Sequence, residues 1–425
     1  MQQPGLQFGH DTNRSAIVYV QLDLNAVFSM PDQNQFLHQS YPTSPAIAPS
    51  FHKLTVNDGQ NKDFSRLHMD LQVDHVILVH GTFMGDDPFA IAETLRAISE
   101  SAPAFKKPID ALALRIQQYT KPLTDRVTGD VGNYTAEFRD AFQQLVGDDP
   151  AVHLMNPTWS GQNHHLARAD LAVRLMCLLD DLRPEPHQRV LLWGHSHAGN
   201  GFAILSNLLA NDRAAVSRFF DAASISEPHW QRAASILQDA PSPHPWSQSL
   251  LIAAFGTPVR YGWDTGGYNK LVQILHHRNY DKDNPVVTKT LYPPYSFGDM
   301  VSATYGDWVQ AFGIAGTDTT VPTAGKSLEQ LAKVLEAGLT EPEHGLDTKF
   351  ILSSRVRNVC ARWKTGTRCH TDGLNLLVEY EPSGRLSLVI PIEESLFGHA
   401  VATAINWLPA HVAMVMQAFG RDFAQ

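Results

Sequence analysis

The chain is short of three things. It has only 3 cysteines in 425 residues, no surplus of basic charge, and no long unbroken apolar run. The formal net charge of −10 leaves no basic stripe to neutralise phosphates, and the largest basic cluster is Lys106-Lys107. Nucleic acid is therefore excluded as a partner. The most apolar stretch, residues 400–419, is broken by Asn406, Pro409, His411 and Gln417. It reads as a buried helix rather than a membrane span. Residues 1–10 are polar, and no basic segment leads into an apolar one, so no secretory signal peptide is read. The expected location is the cytoplasm, with export left open. No zinc-ligand spacing surrounds the cysteines. Cys177 reads as a small core residue, whereas Cys360 and Cys369 are compatible with either a disulfide or two thiols.

What is present is a buried strand running into a serine. Val190-Leu191-Leu192-Trp193-Gly194-His195-Ser196-His197-Ala198-Gly199-Asn200-Gly201 joins four apolar residues to a serine set among small neighbours, with a helical pattern next. This outlines a nucleophile elbow, in which a sharp strand-to-helix turn exposes the serine. Crowding on both sides of the turn demands small residues. The usual pattern is Gly-x-Ser-x-Gly. Here Ala198 holds the last position and glycine follows at Gly199, which predicts a somewhat more crowded turn. The competing reading makes Ser196 a helix N-cap.

Upstream, residues 73–79 form a short apolar strand ending in His80-Gly81-Thr82-Phe83-Met84-Gly85-Asp86. Together the two segments resemble the oxyanion loop and elbow of the α/β-hydrolase superfamily, nearest its bacterial lipases and esterases, from about residue 70 to the C-terminus. The resemblance implies backbone N–H donors at Thr82 and His197 for a carbonyl oxygen gaining charge. Phe83 replaces Thr82 if the loop is shifted by one, and the Thr82 hydroxyl is a third candidate donor. His80 reads as a structural hydrogen-bonding residue.

The same resemblance orders the partners as serine, acid, histidine. The acid is expected to follow a strand, and Asp318 fits, in Gly316-Thr317-Asp318-Thr319-Thr320-Val321-Pro322 after the apolar run 311–315 read as that strand. Asp307 and Asp264 are its rivals, and an Asx-turn is the structural alternative. The base is expected at His399, beside Gly398, after the apolar strand 386–392 and before a helical run to Phe419. His370 is the main alternative, and His411 reads as a packing residue. A Ser196–His399–Asp318 triad requires neither cofactor nor metal.

Periodicity supplies the organisation. Strands are expected at 16–24, near 51–56, at 152–155 and at 250–255. Residues 25–68 are mostly polar loop that either edges the sheet or covers one end of the pocket, and 1–70 form an N-terminal strand and loop extension. A helical pattern covers 88–100, followed by a short apolar run at 111–116. Leu171, Leu175, Leu178 and Leu182 share one helix face, and Arg183-Pro184 ends that helix. Alternating strands and helices predict an α/β fold with a mostly parallel sheet covered on both faces. Residues 71–425 form the catalytic domain. Residues 261–312 hold about twice the 9% aromatic content of the whole chain, and suggest a cap or lid insertion or a satellite core.

The expected activity is cleavage of carboxylic esters, with a small ester or lipid as substrate and contact with a lipid surface allowed. Phospholipase, acyltransferase and thioesterase chemistry are alternatives on the same triad. A catalytically silent binding protein is the alternative from another class.

Overall fold

The computed structural model describes residues 49–59, 62–101, 106–147, 151–258, 260–278, 297–315, 325–335, 373–381 and 397–420. Its centre is a seven-stranded sheet in which every described pairing is parallel. In chain order the strands are β1 (Ser50–Thr55), β2 (Val73–Val79), β3 (His153–Met155), β4 (Arg189–His195), β5 (Leu250–Phe255), β6 (Lys270–His276) and β7 (Leu374–Glu381). Their spatial order is β1-β7-β6-β5-β4-β2-β3. This is an α/β protein.

The helices are α1 (Leu67–Leu71), α2 (Ile91–Ser101), α3 (Lys106–Thr128), α4 (Ala136–Leu145), α5 (His165–Leu182) and α6 (Ala198–Ala210). They continue with α7 (Arg213–Ala223), α8 (Pro228–Asp239), α9 (Phe297–Val301), α10 (Trp308–Ala315), α11 (Gly325–Leu335) and α12 (Leu408–Gly420). Among the described residues, no helix is long and apolar enough to cross a membrane.

Side chains alternate across a strand, so each central strand feeds two cores. Ile77, Val79, Val190, Leu192, Leu250 and Ile252 pack with α5, α6, α7, α8 and α11. Their neighbours Val76, Leu78, Leu191, Trp193, Leu251 and Ala253 pack with α4 and α12 on the opposite face. Strands buried on both faces read as continuous apolar runs, as β4 and β5 do. Leu171 and Leu175 are buried in the first core, and Leu178 and Leu182 pack at its margin. Met176 and Leu179 are equally buried, because α6 and α8 cover α5 on sides that the single-stripe reading left to solvent. Arg183 closes α5 in a left-handed conformation.

Three sequence expectations change. The segment 261–312 supplies β6, a central strand, so it is not wholly an insertion. Tyr261, Trp263 and Tyr268 are buried in the main core rather than roofing a pocket. The run 111–116 lies within the long helix α3. Residues 311–315 belong to α10, not to a strand. The expected strands at 16–24 and 386–392, and Cys360, Cys369 and His370, lie outside the described residues. β1 lies at the edge of the sheet beside β7.

The order of the strands fixes where a site belongs. From β2 the chain steps outward to β3, then returns to the other side of β2 for β4 and proceeds through β5, β6 and β7. The carboxyl ends of β2 and β4 therefore flank a switch point, the place where open α/β sheets bind ligands.

Candidate active site

Both recognised motifs open at that switch point. Ser196 follows β4 directly with φ 57°, a left-handed backbone that a non-glycine residue adopts at a cost of order 1–3 kcal/mol. Its N–H donates to Phe255 O at 2.7 Å, and the Thr257 hydroxyl donates to Ser196 O at 3.1 Å. The end of β5 thus holds the turn from below. α6 begins two residues later, so Ser196 sits at the positive end of a helix.

The glycines in the turn mark real close approaches. A Cβ on Gly194 would lie 2.3 Å from the Phe202 ring and 3.2 Å from the Ala198 methyl. A Cβ on Gly199 would lie 2.0 Å from Thr257 Oγ1. The position that must be bare is therefore Gly199, against β5. Ala198 is tolerated because the residue it faces is Gly194.

Gly81 brings the second motif alongside. A Cβ there would lie 3.0 Å from Ser196 Cβ and 3.1 Å from His195 Nδ1, so Thr82 begins beside the serine. A short ladder braces this loop. Phe83 N–H donates to Gly161 O at 2.7 Å, Asp86 N–H to Trp159 O at 3.2 Å, and Trp159 Nε1–H to His80 O at 3.0 Å. With the Phe83 N–H committed to Gly161, Thr82 is the loop's candidate donor. The Thr82 hydroxyl is buried and has no hydrogen-bond partner among the described residues. Burial, reinforced by the charge of Lys121, pushes the His80 pKa down to about 3. A neutral His80 bonded to Gly81 O fits a bracing role rather than that of a base.

His197 follows Ser196 and starts the turn into α6. Its Nδ1 accepts from Asn200 Nδ2 at 3.1 Å and from the buried Arg168 guanidinium at 3.3 Å. Arg168 also donates to Tyr261 Oη at 2.8 Å and to Asn163 Oδ1 at 3.2 Å. An acceptor Nδ1 places the neutral imidazole proton on Nε2.

His399 lies at the same end of the sheet, in the loop before α12. Its Nδ1 donates to Asp307 Oδ2 at 2.6 Å, with only 4% and 1% of the two side chains exposed. Asp307 is fixed at both oxygens, because Oδ1 accepts from Gln310 N–H at 2.8 Å and so caps α10. The preceding Gly306 docks on the end of β6. Its φ is +113°, and a Cβ would lie 2.5 Å from His276 O. Gly256, after β5, backs the pair: a Cβ there would meet Asp307 Oδ2 at 3.0 Å and the His399 ring at 3.2 Å.

Thus the structure brings Ser196, Thr82, His197 and His399 to one end of adjacent strands. The carboxylate bonded to His399 is Asp307, the rival of Asp318, and Asp318 lies outside the described residues. Asp264 is remote, at the start of β6, where it caps the turn Thr265–Gly267. His411 is buried and bonded to Tyr380 Oη at 2.8 Å, as a packing residue would be. A signal for Asp307 existed: an aspartate before the apolar triplet Trp308, Ala311, Ile314 has the form of an N-cap.

Among the described residues one cluster, Asp170, Glu227 and His229, gathers ligand-type atoms within 4.8 Å of one another. Asp170 already accepts from His229 at 2.6 Å, Trp230 at 2.9 Å and Arg174 at 2.6 Å. Burial raises its pKa, but the His229 hydrogen bond and the Arg174 charge outweigh that and hold it low. The guanidinium stands where a metal would supply its charge, so the donor set does not suit a cation.

No protein-family model, curated protein or solved structure matches this chain.

Proposed function

We propose that this protein is a serine hydrolase of the α/β-hydrolase type that cleaves carboxylic esters. The observation that carries the reading is convergence at one switch point. A serine in left-handed backbone meets a glycine loop from β2 at the same end of the sheet as a buried histidine–carboxylate pair beyond β5. Each part has a role in acyl transfer.

With Nδ1–H held by Asp307, the lone pair of neutral His399 lies on Nε2, the nitrogen a general base uses. In this reading His399 takes the Ser196 proton as Oγ attacks the carbonyl carbon. Asp307 stabilises the imidazolium that forms. The N–H groups of Thr82 and His197 receive the oxyanion, and the helix end at α6 favours the same charge. His399 then protonates the leaving alcohol, and water attacking the acyl-enzyme releases the acid. The triad is Ser196–His399–Asp307 rather than Ser196–His399–Asp318.

The surface beside the oxyanion loop points to apolar substrates. Phe83 and Phe89 stack with ring centroids 6.2 Å apart, and Phe89 is 73% exposed. Ile91, Leu112, Leu114 and Tyr119 are also exposed on α2 and α3. This favours long-acyl esters over acetates, and makes phospholipid the next substrate to try.

The test is hydrolysis of p-nitrophenyl esters from acetate to palmitate by wild type and Ser196→Ala, with fluorophosphonate labelling of both. Turnover and labelling that vanish in Ser196→Ala support the reading. Labelling without ester turnover redirects the substrate to phospholipids or thioesters. A wild-type serine that resists the probe favours a silent binding protein.

A further inference from the structure

The loop that carries His399 has no regular structure to hold it. Phe397 and Gly398 both have positive φ, 56° and 89°, and only two short 3₁₀ segments, Ala400–Thr403 and Ile405–Trp407, separate His399 from α12. Yet three consecutive carbonyls of this loop each receive a donor from a different element. Phe397 O accepts from Trp308 N–H at 3.1 Å, at the start of α10. Gly398 O accepts from His276 Nδ1–H at 2.7 Å, at the end of β6. His399 O accepts from His195 Nε2–H at 3.2 Å, at the end of β4. Two of the three donors are histidine side chains.

We propose that His195 and His276 are positioning residues that clamp the backbone of the His399 loop and aim the His399 imidazole at Ser196. The inference rests on the reading of Ser196 and His399 as nucleophile and base. His195 is the stronger case because it adjoins three parts of the site. It immediately precedes Ser196 in the chain. Its ring lies against the His399 ring, with centroids 4.2 Å apart. Its Nδ1 faces the position a Gly81 Cβ would take, at 3.1 Å. One imidazole thus links elbow, oxyanion loop and base loop.

The protonation states suit the task. Burial pushes the His276 pKa down to about 4 and that of His195 well below the ordinary histidine value. Each ring is therefore neutral at working pH and has one N–H to give, and in each that proton goes to the base loop. The tautomers are opposite, Nε2–H in His195 and Nδ1–H in His276. The remaining nitrogen of His276, Nε2, is buried with no hydrogen-bond partner among the described residues, and the other side of the His195 ring faces the Gly132 carbonyl. A buried lone pair without a partner is unfavourable, and asks for a reason beyond packing. Neutrality supplies a further one, since a second positive ring against His399 would oppose formation of its imidazolium.

The experiment compares His195→Phe with His195→Gln. Phenylalanine keeps the ring and loses the donor, whereas the glutamine amide nitrogen reaches roughly where Nε2 stands. His195→Phe should lose about tenfold to a hundredfold in kcat, the scale of a misplaced catalytic group, with KM within about twofold. His195→Gln should recover most of that loss. Equal kcat in all three proteins, or a glutamine variant no better than phenylalanine, overturns the proposal. Should His195→Phe fail to fold, His276→Phe and His276→Asn repeat the comparison at the other jaw, the asparagine amide standing in for Nδ1.

A second readout does not depend on turnover. In protein labelled with ¹⁵N-histidine, His399 should hold a single Nδ1–H tautomer in wild type and give an exchange-broadened signal in the phenylalanine variants. An unchanged His399 signal overturns the clamp. If wild type shows no Ser196-dependent turnover, the hydrolase reading fails on that result, and the nuclear resonance comparison still decides the clamp.

Discussion

Asp307 holds His399 and a helix at once: Oδ2 accepts from His399 at 2.6 Å while Oδ1 accepts from Gln310 N–H at 2.8 Å. The cap orients the carboxylate independently of the histidine, so its position is set by secondary structure. Asp307→Asn keeps the shape but can present an amide N–H to His399, favouring the wrong tautomer. That exchange should lower kcat by about 10³–10⁴-fold, as the equivalent change does in serine proteases. Asp318→Asn should stay within about threefold of wild type, far from the scale of a lost triad member. Steady-state kinetics on one ester decides between them, and a crippled Asp318→Asn would return the acid to the later loop.

The strand-to-serine turn after β4 and the glycine loop after β2 were legible because each compresses a strand and its turn chemistry into one short stretch. Val73–Val79 and Leu250–Phe255 were equally plain, being apolar runs bounded by turns. The acid was not. Residues 311–315 form an apolar run too short for periodicity to separate helix from strand, and reading it as a strand directed the search for a carboxylate past α10. β6 was hidden for a different reason. Lys270 and Gln273 interrupt its apolar pattern, and aromatic neighbours drew the whole region toward a cap. Gln273 is nonetheless buried. The pairing of Asp307 with His399 spans 92 residues, and no local pattern reports a contact of that range.

Glycine at 199, rather than at 198, makes a stability prediction. Gly199→Ala would drive a Cβ to 2.0 Å from Thr257 Oγ1 and 2.6 Å from its Cγ2, and the same hydroxyl supports Ser196 O. Overpacking of this kind costs about 1–3 kcal/mol, and here it should also lower kcat by displacing the elbow. Ala198→Gly removes a methyl that has room and should cost no more than about 1 kcal/mol, the helix-propensity difference. Urea unfolding with parallel assays would show it. A Gly199→Ala protein as stable and active as wild type would remove the crowding argument.

The stacked Phe83–Phe89 pair should set acyl preference. Phe83 is held at φ 68° with its N–H on Gly161 O, an uncommon conformation for a bulky residue, and its side chain is 42% exposed. A ring fixed in that way beside Thr82 offers a platform for an acyl chain. Phe89→Ala should lower kcat/KM for long-chain esters about fivefold to twentyfold, consistent with about 1–2 kcal/mol of apolar contact, and leave acetate unchanged. A uniform loss at every chain length would assign the pair to loop support instead.

Acid should unfold this protein earlier than its net charge suggests. Burial pushes the pKa of His80 and His411 down to about 3 and that of His244 and His276 down to about 4. An unfolded histidine titrates near 6.5. Below that pH the unfolded chain binds protons that the folded chain refuses. Stability is therefore complete above about pH 6.5 and falls as pH drops toward 4, where the folded groups begin to titrate. Around pH 5 these four residues alone give an uptake of about four protons on unfolding, each steepening the slope by about 1.4 kcal/mol per pH unit. The melting temperature should accordingly fall continuously from pH 7 to 4.5. His411→Gln retains a partner for Tyr380 Oη and removes one titrating group, so its slope should be shallower by about one proton. Calorimetry at several pH values reads both quantities. A melting temperature flat across that range, or a variant with the wild-type slope, would show that these histidines are not held neutral in the fold.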